Sequence, residues 1–264
     1  MNDRPLVSII TVCRNAEATI ERTLQSVMAQ TYAPIEYIVI DGASTDATLD
    51  KVKACPAVTS WVSESDNGIA DAFNKGLALA RGEWIGILNA DDWYEANTVE
   101  TIVRAADGAD IIHGPVCYWD GETPKEVYYP NQDALCREMS LNHPSVFVRR
   151  SVYETAGGFD VSYKIAMDYE LLLRLFVAGY RFRATAEGIL ANMQFGGMSD
   201  THWHKGLFDV LRAKNTHFPA RWLSNHIYFC MQLLRGHIRR VLEKMGLTTF
   251  VRWFRERYSP MVKR

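Results

Sequence analysis

Residues 62–94 read VSESDNGIADAFNKGLALARGEWIGILNADDWY, and this stretch decides the fold. Its start closes a short β-rich run at 59–62. Residues 69–80 then repeat apolar side chains at helical spacing, and residues 84–88 form an apolar run of the kind a strand buried on both faces carries. Strand, helix and strand with short connections make a parallel crossover unit. Polar residues gather where each strand ends: Glu64 and Asp66 after the first, and Asn89, Asp91 and Asp92 after the second.

The same alternation extends upstream and downstream. Strands are expected at 6–12, 35–40, 59–62 and 84–88, with helices at 16–30, 47–54, 69–80 and 95–106, which together specify a parallel α/β sheet. Such sheets bind ligands in the crevice at the carboxyl ends of their strands. Thr11, Arg14 and Asn15 follow the first strand and Asp41-Gly-Ala-Ser-Thr-Asp46 the second, so four polar strand ends are expected to share one crevice. Beyond residue 110 the pattern turns mixed. Strands are expected at 111–113, 116–119, 126–129 and 145–149, a helix at 168–178 with Gly179 as its C-cap, and a last strand at 181–185.

The chain has 264 residues, 48% hydrophobic and 23% charged, enough to bury a large core. A net charge of −2 gives no reason to expect a nucleic-acid partner. Five scattered cysteines, none in a CxxC spacing, read as reduced thiols of a cytoplasmic protein. No segment reaches the roughly 18 apolar residues that a spanning helix needs.

A crevice rich in carboxylates would repel a diphosphate unless a hard cation stood between them, and Mg²⁺ or Mn²⁺ fits oxygen ligands of this kind. Asp91 is the first choice of metal ligand and Asp92 an accessory one; Asn89 and Asp92 read equally as caps of the next helix. Asp41 stands where acids of nucleotide folds meet a ribose or base, or it belongs to a turn-and-cap segment with Ser44, Thr45 and Asp46. A nicotinamide or flavin dinucleotide enzyme is excluded because no glycine precedes Gly42, and no P-loop motif is present. His202 and His204 have poor spacing for a metal pair and read as no metal site.

Three segments, VSIITVCRNA, VIDGASTDAT and residues 62–94, together resemble the nucleotide-binding half of family-2 glycosyltransferases of the GT-A fold. The likeness continues more loosely through Asn142-His-Pro-Ser145, Gly157-Gly-Phe-Asp160, Met167-Asp168-Tyr169 and Phe195-Gly-Gly-Met-Ser199, resembling bacterial enzymes of exopolysaccharide and O-antigen assembly. It implies a Rossmann-like nucleotide-binding sheet joined to a mixed acceptor-side sheet, and an inverting transfer from a nucleotide-diphosphate sugar. By position, it places Thr11, Arg14, Asn15, Asp41, Asp66 and Lys75 around the donor, with Asn89 and Asp91 at the metal motif. Asn89 departs from the common aspartate, so the metal load falls on Asp91. Lys75 reads otherwise as a solvated helix face. Asp168 matches the family's catalytic base, against a reading as an N-cap, with Glu170 as fallback. His143 is assigned near the leaving diphosphate or acceptor, or to a structural role. Gly197 is assigned to a loop closing over the site, or to an ordinary turn. A non-catalytic nucleotide-sugar-binding partner of a glycan assembly complex is the alternative function.

The glycosyltransferase domain is assigned to residues 1–218 and a basic tail to 219–264. The tail holds ten Lys and Arg residues against Glu243 and Glu256. Two amphipathic helices with cationic faces are expected, one around 234–245 and one around 247–258. They would lie on an anionic membrane surface, on the cytoplasmic face of the inner membrane, where a lipid-linked saccharide acceptor resides. Packing on the catalytic domain or in a homodimer is the alternative.

Overall fold

A computed structural model describes residues 4–185, 188–247, 250 and 257. In chain order its strands are β1 (Val7–Cys13), β2 (Ile35–Asp41), β3 (Ser60–Ser63), β4 (Trp84–Asn89), β5 (Trp93–Tyr94), β6 (Ile111–His113), β7 (Val116–Asp120), β8 (Thr123–Tyr128), β9 (Phe147–Arg149), β10 (Phe182–Ala184) and β11 (Ala191–Gln194). Its helices are α1 (Ile20–Met28), α2 (Thr48–Ala54), α3 (Ile69–Leu79), α4 (Thr98–Arg104), α5 (Arg150–Ala156), α6 (Met167–Val177), α7 (Met198–Thr201), α8 (Trp203–His217) and α9 (Trp222–Lys244).

Seven strands form one sheet in the order β10-β6-β9-β4-β1-β2-β3. β1 pairs in parallel with β2 on one side and β4 on the other, and β3 extends the parallel run. The chain therefore winds one way from β1 to β3 and crosses back for β4, which opens a crevice beside the end of β1. Alternation along the central strands builds a core on each face. Ile10, Ile38 and Ile40 pack with Phe73 of α3 and Leu172 of α6; Ile9, Tyr37 and Val39 pack with Leu24 of α1 and Val99 of α4. Both faces being covered explains why these strands read as continuous apolar runs.

β9 enters antiparallel between β4 and β6. Gly86 of β4 makes this possible, because a Cβ there would run into the Phe147 ring of β9. A second sheet, β5-β11-β7-β8, starts immediately after the turn that follows β4. The turn at Ala90–Asp92 thus joins the seven-stranded sheet to the four-stranded one.

Several elements differ from expectation. α1 starts at Ile20 rather than near residue 16, because residues 15–17 are occupied in bonds to the loop after β2. α4 is shorter at both ends than the 95–106 run. β5, β11 and α5 are too short to carry a clear periodic signal, and α8 (Trp203–His217) adds a helix beyond those expected. The compositional break at Phe218 falls between α8 and α9, which pack on each other. α9 is one helix that starts well before residue 234. The second amphipathic helix, around 247–258, lies largely outside the described residues.

Candidate active site

Strand direction brings the singled-out residues to one edge. β1 to β4 are parallel, so the loops carrying Arg14 and Asn15, Asp41 to Asp46, Asp66, and Asn89 to Asp92 all leave at the same edge. β9 runs oppositely and begins where its neighbours end, which puts His143, in the turn just before it, at that edge too. α6 leads through Gly179 into β10, which is parallel to β6 and starts at the far edge. The amino end of α6, with Asp168, therefore returns to the crevice side.

The first two loops are sewn together. Asn15, in the left-handed region at φ 50°, donates its backbone N–H to Ser44 Oγ (2.8 Å) and accepts at Oδ1 from the Thr45 N–H (2.9 Å). The N–H groups of Ala16 and Glu17 donate to Thr48 Oγ1 and Asp46 Oδ2. Gly42 closes the floor: a Cβ there would stand 2.6 Å from Asp66 Oδ2 and 3.4 Å from Arg14 Cβ, so Arg14, Gly42 and Asp66 meet in one place. The exposed guanidinium of Arg14 has no acidic partner among the described residues.

Three of the residues expected around the donor are engaged within the protein. Asp41 has no exposed surface, and its carboxylate accepts from the Ser44 hydroxyl, the Ser44 N–H (3.1 Å), the Ser63 hydroxyl (2.6 Å) and the Cys13 thiol. It organises the loop from inside, and burial together with this carboxylate pushes the Cys13 thiol up to about 12. Thr11 is buried under the loop, its hydroxyl 3.1 Å from that of Tyr37. Lys75 pairs with Glu64 (2.8 Å) and donates to the Ser65 carbonyl (2.8 Å), so it ties down the 64–71 loop.

After β4, the roles of the two aspartates separate. Asp92 is buried, accepts from Asn89 Nδ2 (3.2 Å), and is held well above the usual carboxylate range by burial and by Asp91. Its carbonyl accepts from Thr23 Oγ1 (2.7 Å), which fastens the turn to α1. Asp91 is partly exposed, and among the described residues no side chain pairs with it; burial raises its pKa as well. Because Asn89 spends an N–H on Asp92, its Oδ1 is left for a ligand. One open carboxylate beside an amide oxygen suits a hard cation that takes its remaining ligands from phosphates and water. Among the described residues no cluster of three His, Cys, Asp or Glu side chains forms a self-sufficient metal cage.

Asp168 sits in the first turn of α6 with Oδ1 accepting from the Tyr169 N–H (2.8 Å). Burial outweighs that bond and pushes its carboxyl up to about 6. Met167 beside it points into the core, 4% exposed. Glu170, the fallback base, is buried and held by Arg174 (3.0 Å) and His217 (3.2 Å). His143 stacks on Phe73 with ring centroids 5.6 Å apart, and burial lowers its pKa to about 4, which keeps the imidazole neutral. Gly197 lies in the turn between β11 and α7, where its carbonyl accepts from the Asp200 N–H (3.1 Å).

Asp209 of α8 belongs to the site's support and has no signal in the sequence. Its Oδ2 accepts from the N–H groups of Lys164, Ile165 and Ala166 at 3.1, 2.9 and 3.2 Å, immediately before the helix that carries Asp168. Only packing of α8 on α6 brings it there.

The sequence profile described as Glycosyl transferase family 2 matches residues 8–167, more than half of the chain. The chain belongs to this family. A PGL/p-HBAD biosynthesis glycosyltransferase of Mycobacterium bovis (strain BCG / Pasteur 1173P2) is 29% identical over 96% of this family-2 chain and 99% of its own. The fold of this glycosyltransferase resembles S. aureus TarS 1-349, solved in complex with UDP-GlcNAc, with a TM-score of 0.63 at 18% identity over 84% of the chain and 73% of TarS 1-349. It also resembles the mannosyltransferase PcManGT from Pyrobaculum calidifontis, solved with GDP-Man and Mn2+, with a TM-score of 0.60 at 21% identity over 86% and 70% of the two chains. The family-2 enzyme thus has the GT-A architecture, followed by C-terminal helices.

Proposed function

We propose that this family-2 enzyme transfers a sugar from a nucleotide-diphosphate donor to an acceptor hydroxyl, with inversion at the anomeric carbon and with Mg²⁺ or Mn²⁺. The observation that carries this reading is a division of labour at one sheet edge: Asp91 open and unpaired among the described residues, Asp168 poised with a pKa of about 6. A base with that pKa is ionised at neutral pH and still basic enough to take a proton from a hydroxyl as it attacks.

In this mechanism the acceptor O–H loses its proton to Asp168 while its oxygen bonds to the anomeric carbon. The bond from that carbon to the diphosphate breaks on the opposite face, and its electron pair leaves with the diphosphate oxygen. Arg14 lies where the Asp66 and Gly42 loops meet and would bind the anionic donor. Asp91, with Asn89 Oδ1 beside it, would hold the cation, which when bound offsets charge developing on the leaving diphosphate. UDP-GlcNAc bound to TarS and GDP-Man with Mn2+ on PcManGT support a donor and a cation of this chemistry. We assign the acceptor to a lipid-linked saccharide of bacterial surface polysaccharide synthesis, reached from the cytoplasmic face of the membrane. Among the described residues no helix is long and apolar enough to cross a membrane.

The decisive experiment is turnover of a panel of UDP- and GDP-sugars with Mn²⁺ by the wild type, Asp168→Asn and Asp91→Asn. Asp168→Asn should keep donor binding and lose transfer by about 10²- to 10⁴-fold. Asp91→Asn should lose the increment that Mn²⁺ provides. Undiminished transfer by Asp168→Asn would remove the assigned base, and donor binding without any turnover by the wild type would leave a nucleotide-sugar-binding partner instead.

A further inference from the structure

α9 shows two unlike faces. Asn225, Phe229, Gln232, Gly236 and Arg240 fix one side to the catalytic domain. Asn225 donates to Asn215 Oδ1 (3.0 Å), Phe229 packs on Phe208 (ring centroids 4.9 Å apart), and Gln232 donates to Glu138 (2.9 Å). Gly236 lets the Trp203 ring lie against the helix, and Arg240 donates to the Asp200 carbonyl (2.8 Å).

On the opposite face, Leu223, Ile227, Met231, Leu234, Ile238, Val241 and Met245 recur every three or four residues, each between 51% and 68% exposed. That spacing is one continuous apolar stripe down the helix. At about 1.5 Å per residue it runs for roughly 35 Å. Single exposed apolar residues are ordinary, but a contiguous stripe of seven marks a surface that meets something apolar.

Charge identifies the occupant. Arg235 and Lys244 lie on opposite flanks of the stripe, both exposed and without an acidic partner among the described residues. Arg239 shares the Arg235 side, and Glu243, the only acid in α9, is turned away and paired with it (2.7 Å). Two copies of this helix packed stripe to stripe would set cations against cations, with no acid on either flank to answer them. An interface with an apolar interior and a negative surface satisfies both features.

We propose that the exposed face of α9 docks the enzyme on an anionic lipid bilayer, lying in the interface with its stripe among the acyl chains and Arg235 and Lys244 at the headgroups. Through Arg240 and Asp200 the docked helix is tied to the 196–201 turn, so docking also fixes how the catalytic domain sits over the bilayer. The inference deepens the lipid-linked acceptor reading and rests on it for its purpose, while its test needs no sugar transfer.

The test is co-sedimentation of the full-length chain with vesicles of phosphatidylcholine alone or mixed with phosphatidylglycerol, alongside hydrolysis or transfer assays in detergent-free solution. The wild type should bind the anionic vesicles and largely ignore the neutral ones. Arg235→Gln with Lys244→Gln should weaken binding about thirtyfold, at about 1 kcal/mol per cation. Ile227→Gln with Ile238→Gln, on exposed positions that leave the packed face intact, should weaken it at least about tenfold. Donor turnover in solution should be unchanged in both variants. Absence of wild-type binding to anionic vesicles overturns the proposal. So does a dimer in sedimentation that Ile227→Gln with Ile238→Gln dissolves, since the stripe would then belong to a second copy. Vesicle binding with no sugar transfer would remove the proposed function and leave the docking face standing.

Discussion

Asp168 carries opposite demands on function and stability. Its carboxyl is raised from 3.8 to about 6 by burial, so the folded state holds its proton more tightly than the unfolded chain does. Unfolding therefore releases a proton between those values, and stability declines as pH rises from about 4 to about 6. Above that window the folded protein carries a buried charge at a cost. Asp168→Asn should accordingly raise thermal stability at pH 8 by about 1–3 kcal/mol in the same variant that loses transfer. Melting curves at pH 4 and pH 8 check the sign: the gain should be near zero at the lower pH. In the wild type, the transfer rate should rise with pH through about 6 as the base ionises. Asp168 stands out in the sequence because it matches the family motif. Its elevated pKa was not legible there, because burial by distant elements sets it. Asp41 shows the converse, since a residue type and position that suit ribose binding say nothing about the two serines and the thiol that enclose it.

Elements depend on close approaches that only small residues permit. Gly76 of α3 lies over Ile10 of β1 so tightly that a Cβ would collide with the Ile10 γ-methyl. Alanine there gains up to about 1 kcal/mol of helix propensity, yet it must displace a β-branched side chain held in the central strand. Gly76→Ala should therefore destabilise the protein by about 1–3 kcal/mol net, measured by urea unfolding. α6 is anchored by a different device. Glu170 accepts from Arg174 and His217, and Arg174 also donates to the carbonyls of Ala156 and Gly158. Glu170→Gln leaves the Arg174 guanidinium facing a neutral amide and should cost about 3 kcal/mol, while a folded fraction keeps its turnover number. Retained stability with lost turnover would return Glu170 to the chemistry.

At the scale of the whole molecule, two sheets meet at the Ala90–Asp92 turn, and one helix rides on the outside of the assembly. Binding through α9 combines apolar burial with charge, so it should weaken with salt without vanishing. Raising ionic strength from 0.15 to 1 M shortens the Debye length from about 8 to about 3 Å, which removes the attraction of Arg235 and Lys244 but leaves the stripe's contribution. Vesicle sedimentation across a salt series measures both parts. Complete salt-independence would mean that the cations have no role in docking.

The order of strands and helices from β1 to β4 was legible in the sequence alone, because a parallel sheet covered on both faces needs unbroken apolar strands and its crossovers need periodic helices. The polar strand ends located the crevice for the same reason. Tertiary structure decided which of those polar side chains face it. Arg14 and Asp91 are left open, whereas Thr11, Asp41, Lys75, Asp92 and Glu170 are enclosed or engaged by partners far along the chain. Burial and pairing at that range depend on which elements come to lie together, and no local pattern of residues encodes that.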